Sequence, residues 1–168
     1  MNLEVFQEDG VWRARWGEQV WPCAIGRGGV RADKREGDGA TPAGSWPLRK
    51  VFYRPDRAAR PATALPCRAL TPTDGWCDDP ADPAYNRLVA LPFAAGHEVM
   101  WREDHLYDIV VTLGHNDDPP VPGLGSAIFL HLARDDYGPT EGCVALMVSD
   151  LLTFLRQAAP QTFVHVKP

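Results

Sequence analysis

Cys143 follows a glycine in the run Pro139-Thr140-Glu141-Gly142-Cys143-Val144-Ala145-Leu146, and His131 stands twelve residues upstream at the end of an apolar run. A cysteine acts as a nucleophile when a base takes its proton, a tight turn exposes the sulfur, and donors await the oxyanion. Gly142 offers the turn: it has no side chain to block a carbonyl, and its φ range permits a sharp bend. The N–H groups of 142 and 143 are then candidate oxyanion donors. The segment from His131 to Cys143 is long enough to fold back and set the imidazole beside the thiol. There it would serve as general base and later as general acid. The plain alternative is a cysteine that is only a small core hydrophobe and a histidine that is only a hydrogen-bonded rim residue. Spacing alone leaves both open.

The elements that must position this pair read as short strands. Leu3 to Phe6 and Val11 to Trp16 alternate around a turn at Glu8-Asp9-Gly10, and a third strand follows from Val20 to Ile25. Residues 26–44, GRGGVRADKREGDGATPAG, are too rich in glycine and charge for core and lack the repetition of a linker, so they predict an ordered functional loop. Ser45 to Tyr53 reads as a strand, and residues 54–97, interrupted repeatedly by proline, as irregular. Glu98 to Trp101 and Leu106 to Leu113 read as strands paired around a turn at Glu103-Asp104. Ala127 to His131, apolar on both faces until the histidine, predicts a central strand. One helix is expected, capped by Ser149, with Leu151, Leu152, Phe154, Leu155, Ala158 and Ala159 as its apolar stripe and Pro160 as its stop. Thr162 to Val166 closes the chain as a strand. No repeat or linker divides residues 1–168, so a single β-dominated domain is expected.

Composition narrows the function classes. The 168 residues are 45% hydrophobic and 23% charged, as in a globular protein able to bury a core. Seventeen basic against 22 acidic side chains give a formal charge of −5, without the basic footprint of a nucleic-acid binder. No apolar stretch is long enough to span a bilayer. Glu4, Glu8 and Asp9 interrupt the N-terminus, which does not read as a secretion signal. The cysteines, at 23, 67, 77 and 143, include no CxxC pair, and His97, His105 and His165 have no ligand spacing, so no metal site is expected. Cys67 and Cys77 are either two free thiols or a disulfide across a loop. Cys23 and Trp21 read as core.

The stretch GSAIFLHLARDDYGPTEGCVAL, residues 125–146, resembles the catalytic signature of the L,D-transpeptidase (YkuD-type) family, in which a histidine ending a strand precedes a Ser/Thr-x-Gly-Cys loop. KREGDGATPAG at 34–44, GWCDDP at 75–80, YNR at 85–87 and LYDIVV at 106–111 extend the resemblance over nearly the whole chain. It places His131 at the catalytic histidine, Thr140 at the Ser/Thr, Gly142 at the glycine and Cys143 at the nucleophile. Glu141 stands where the family commonly has a second histidine, and the His-to-Cys loop is short, which marks a divergent branch. The resemblance implies a mainly β, barrel- or sandwich-like fold with one C-terminal helix and long ordered loops. It implies acyl transfer on peptidoglycan stem peptides without metal or organic cofactor: the thiolate attacks the carbonyl of the third stem residue, D-alanine leaves, and an amine or water takes the acyl group. It also implies acylation by carbapenems. A hydrolase (carboxypeptidase, amidase or endopeptidase) would share every one of these residues, and a non-catalytic wall-binding module would need neither Cys143 nor His131. A role in the cell wall sits beside an N-terminus without an evident leader, which leaves localisation open between the wall and the cytoplasm.

Other side chains carry paired readings. Arg27, Arg31, Lys34 and Arg35 can hold stem-peptide carboxylates, or can pair with Asp33, Glu36 and Asp38 as a solvated loop. Asn86-Arg87 and His115-Asn116 can line a cleft or shape turns. Glu141 would raise the thiol pKa if it pointed at the sulfur; it is expected instead to face substrate or imidazole.

Overall fold

The computed structural model describes residues 1–168. Alternation builds the first hairpin: β1 (Leu3–Glu8) buries Leu3 and Val5, while β2 (Val11–Trp16) buries Ala14 and Trp16. Asp9 and Gly10 join them with φ of 50° and 78°, the two-residue turn whose twist suits an antiparallel pair. β3 (Gln19–Pro22) extends this ribbon against β2. Two short parallel strands, β4 (Val30–Arg31) and β5 (Thr41–Pro42), bracket the glycine-rich loop. The ten-residue β6 (Gly44–Tyr53) follows.

The proline-rich middle is more ordered than its sequence predicts. It holds β7 (Cys67–Ala69), which adds to β6, and then β8 (Asp74–Cys77) and β9 (Leu88–Ala90). With β10 (His97–Val99), these last two form a separate three-stranded sheet in the order β10-β8-β9. Strands of three or four residues are too short to show a period, which is why they do not stand out among the prolines.

The expected hairpin of residues 98–101 with 106–113 does not form. β10 stops at Val99 and pairs with β8, whereas β11 (Ile109–Leu113) lies between β6 and β12 (Phe129–Leu132). The intervening residues turn instead, because Asp104 accepts the Leu106 N–H at 3.2 Å and Arg54 and Arg57 donate to the carbonyls of Arg102, Glu103 and Asp104. Met100, Leu106 and Tyr107 are thereby turned into a core rather than along a ladder.

β13 (Val144–Leu146) runs parallel to β12 and leads directly into α1 (Val148–Gln157), before β14 (Phe163–Val166) ends the chain. Ser149 does not cap α1. Met147, still extended from β13, holds the cap position without a side-chain bond, and Ser149 sits inside the first turn with its hydroxyl on Asp150. Asp150 complements the helix dipole there. The buried face of Leu151, Phe154 and Leu155 contributes roughly 2 kcal/mol per side chain, and Phe154 meets Trp16 edge-on at 4.9 Å.

The nine-stranded sheet runs β13-β12-β11-β6-β14-β1-β2-β3, with β7 on β6. Beyond its last strand, Ala24 and Ala145 exchange two backbone hydrogen bonds of 2.9 Å, which brings the two edges together. The fold is therefore mainly β and nearly closed, with one helix. β11, β12 and β13 are buried on both faces, which the apolar run ending at His131 predicts for β12. Leu130 and Leu132 face the larger core, whereas Phe129 faces a second cluster that contains Tyr107 and Cys143. Strand alternation puts His131 on the face of Phe129. All four cysteines are free thiols.

Candidate active site

Cys143 lies one residue before β13, where the register sets it beside Phe129 and sets Ala145 beside His131. The thiol and the imidazole thus lie on one face of neighbouring parallel strands, and both line a cavity of about 390 Å³. They are 7% and 5% exposed. The thiol donates to the Ala127 carbonyl at 3.2 Å and accepts the Phe129 N–H at 3.3 Å. Ala127 presents that carbonyl from a left-handed φ of 53°, and Asn86 Oδ1 accepts its N–H at 3.1 Å.

His131 Nδ1 lies 2.8 Å from the Leu132 carbonyl. A carbonyl only accepts, so Nδ1 carries the proton and Nε2 is left as the basic atom. Burial pushes His131 down to about 4, against the opposing pull of the Leu132 carbonyl. Burial, followed by the Glu98 charge, pushes Cys143 up to about 12, against the Phe129 N–H. Both shifts favour the uncharged form, thiol and neutral imidazole, at neutral pH.

The turn before the thiol is held from two sides. Thr140 Oγ1 donates to the Cys143 carbonyl at 2.6 Å and accepts the Gly142 N–H at 3.1 Å. That bond occupies one of the two expected oxyanion donors, while the Cys143 N–H has no partner within the chain. Gly142, at φ 138°, packs so tightly that a Cβ would lie 2.8 Å from the Ala40 carbonyl. Across the turn, Ile25 accepts the Thr140 N–H at 2.9 Å and Thr140 accepts the Arg27 N–H at 2.8 Å.

The basic residues of the glycine-rich loop separate. Lys34 is buried and lines the cavity, with its ammonium on Asp38 and on the Arg35 carbonyl. Burial opposes the Asp38 charge, but Lys34 and the N–H groups of Ala40 and Arg35 together hold its carboxyl below the usual range. Arg27 donates from Nε to both oxygens of Glu141, at 3.0 and 2.9 Å, in an exposed pair. Glu141 lines the cavity, whereas Arg27 and Arg35 do not. Arg31 faces Asp33 at 3.9 Å. Asn116 is also outside the cavity lining: its amide donates to Val121 and Gly125, and its oxygen accepts from Val121, closing a loop. Asn86 takes the turn role too. Besides Ala127 it binds Trp76, His115 and Asn116, joining three loops behind the thiol.

Sequence reasoning missed a second group in the cavity. Tyr107 stacks edge-on against His131 at 5.3 Å and donates its hydroxyl to Glu98, and Arg102 lies 3.7 Å from the same carboxylate. Their clustering within HEVMWREDHLY, residues 97–107, was a signal, masked by the reading of that segment as a hairpin.

A family model described as the L,D-transpeptidase catalytic domain (YkuD) matches residues 3–166, nearly the entire chain. The chain belongs to the YkuD L,D-transpeptidase family. No curated protein and no solved structure matches it. Family membership assigns this L,D-transpeptidase domain a peptidoglycan-related function of the transpeptidase type. No helix in it is long and apolar enough to cross a membrane.

The buried imidazole makes stability depend on pH. Unfolding returns His131 from about 4 to its ordinary 6.5, so between these values the unfolded chain binds a proton that the folded chain does not. Stability is full above that window and falls as pH drops through it, by about 3 kcal/mol at its lower end. His115, lowered chiefly by burial, acts in the same direction. Urea unfolding at about pH 7 and about pH 4.5 is expected to show the loss, with a smaller pH difference in His131→Gln. An equal pH difference in that variant would contradict the assignment.

Proposed function

We propose that this domain is a cysteine acyltransferase acting on peptidoglycan stem peptides, with Cys143 as nucleophile and His131 as base. The observation that carries this reading is the placement of both side chains on one cavity face, with Nδ1 pinned to Leu132 and Nε2 left basic. The donor peptide enters with the carbonyl of its third residue over Cys143. The thiol proton leaves the Ala127 carbonyl for His131 Nε2 as sulfur attacks. Charge developing on the carbonyl oxygen meets the unpartnered Cys143 N–H. When the intermediate collapses, the C–N bond breaks and His131 returns its proton to the departing D-alanine nitrogen, leaving a thioester. An amine of a second stem then attacks to give a 3→3 cross-link. Thr140 and Gly142 shape the nucleophile turn, and no metal or organic cofactor has a part in these steps. A carbapenem, whose strained carbonyl would meet the same thiol, is expected to acylate Cys143.

The test is product analysis with a tetrapeptide muropeptide donor and a stem-peptide acceptor, followed by intact mass. D-alanine release with a 3→3 product supports the transferase. D-alanine release with tripeptide alone would identify a hydrolase that uses the same site. A wild-type protein that forms no acyl adduct would overturn the reading.

A further inference from the structure

Glu98 has no role in the acylation steps above, yet it lines the same cavity as Cys143 and His131. One of its carboxylate oxygens, Oε1, accepts from Tyr107, whose ring packs against His131. Its other oxygen, Oε2, makes no hydrogen bond within the chain, and the side chain keeps 27% of its exposure. Arg102 Nη1 stands 3.7 Å from Oε1, too far for a hydrogen bond, while Nε and Nη2 of the same guanidinium donate to Asp104 at 2.8 and 2.7 Å. A carboxylate oriented by a tyrosine, with a free oxygen open to a reaction cavity, suits a group that arrives as a cation.

We propose that Glu98 is the acceptor-selecting residue of this site: it receives the incoming ammonium and takes its first proton, so that the thioester is given to an amine in preference to water. This rests on the acyl-transfer reading above. The acceptor enters as R–NH3⁺ against Oε2 of Glu98. The carboxylate takes one proton and becomes the acid, and the free amine attacks the thioester carbon. A C–N bond forms and the C–S bond breaks. The second nitrogen proton passes through His131 Nε2 to the departing sulfur, and the third stays on the new amide. The products are the cross-link, the Cys143 thiol and protonated Glu98, which then releases its proton to solvent. Charge and protons balance without another reactant.

The surroundings favour a carboxylate that can accept a proton. Burial, Asp78 on the turn after β8, and Asp104 all raise Glu98, while Tyr107 and Arg102 oppose them. Glu98 in turn disfavours the Cys143 thiolate, so removing its charge eases acylation even as it weakens transfer.

The experiment separates the two half-reactions in wild type, Glu98→Gln and Glu98→Asp. Acylation is followed by intact mass, and partition by the ratio of 3→3 product to tripeptide over a range of acceptor concentrations. Glu98→Gln is expected to acylate at least as fast as wild type while its partition to the amine falls about tenfold or more near pH 7. That deficit should shrink towards about pH 10, where the acceptor amine sheds its own proton, and Glu98→Asp should recover part of the transfer near pH 7. A Glu98→Gln ratio equal to wild type at every pH overturns the proposal, as does parallel loss of acylation and transfer in both variants. A wild type that acylates but yields only tripeptide also overturns it. A wild type that does not acylate overturns the acyl-transfer reading itself, a result distinct from these.

Discussion

A Gly26→Ala variant is expected to lose about 3 kcal/mol or more of stability and most of its reactivity towards donor peptides. Gly26 lies far from Cys143 in sequence but shares a bridge with Thr140 in the nucleophile turn. A Cβ at this position would lie 2.2 Å from the Gly39 carbonyl, 2.9 Å from Gly142 Cα and 2.9 Å from the Thr41 nitrogen. All three are backbone atoms, with no flexible side-chain end to give way. Gly26 is not among the positive-φ residues, so crowding, not conformational strain, would cause the damage. Relief requires moving either the loop of Gly39 or the turn that holds the thiol. Gly29→Ala is the control: its φ is 76°, but nothing lies within 4 Å of its Cβ. It should cost about 1 kcal/mol and leave acylation largely intact. Urea midpoints and acyl-adduct formation check both variants. A Gly26→Ala protein with wild-type values would show that the two loops are looser than described.

Cys143→Ala is expected to lower D-alanine release by roughly 10⁴-fold or more, because the other nucleophilic side chains lining the cavity are committed elsewhere, Ser126 to Glu36, Thr140 to the Cys143 carbonyl and Lys34 to Asp38. The fold should tolerate it. The deleted sulfur bonds only to the Ala127 carbonyl and the Phe129 N–H, so the loss of stability should stay near about 1–2 kcal/mol. The variant should also show no mass shift with donor or carbapenem. Residual turnover within about tenfold of wild type would move the chemistry away from Cys143.

The pair and its strand were legible because their signals are local: an apolar run ending in His131 and a glycine before Cys143 read directly along the chain. The hairpin at the N-terminus was legible for the same reason. What escaped depends on long-range register. Glu98 gains its place only when β10 pairs with β8 and Tyr107 turns inward, and neither is visible from a segment that alternates like a hairpin. Asn86 acts through loops about 30–40 residues away, and a sequence gives no hint of which carbonyls an amide will meet. Lys34 was legible as a charge in a functional loop, but its burial against Asp38 follows from the fold of residues 26–44. The cap of α1 was misplaced because an extended strand runs into the helix without the usual polar stop.

The small sheet of β8, β9 and β10 has its own edges and joins the nine-stranded sheet by no backbone ladder. In the proposed mechanism the reacting side chains come from β12 and the turn before β13, whereas Asp78 and Glu98, two of the carboxylates lining the cavity, come from the excursion. Under that proposal, reactivity and choice of partner would be carried by different stretches of chain. Residues 71–100 also support the thiol, since Asn86 accepts the Ala127 N–H and Met100 packs in the cluster of Cys143, so a chimaera that exchanges the excursion must retain both contacts to keep one thiol while changing what it serves.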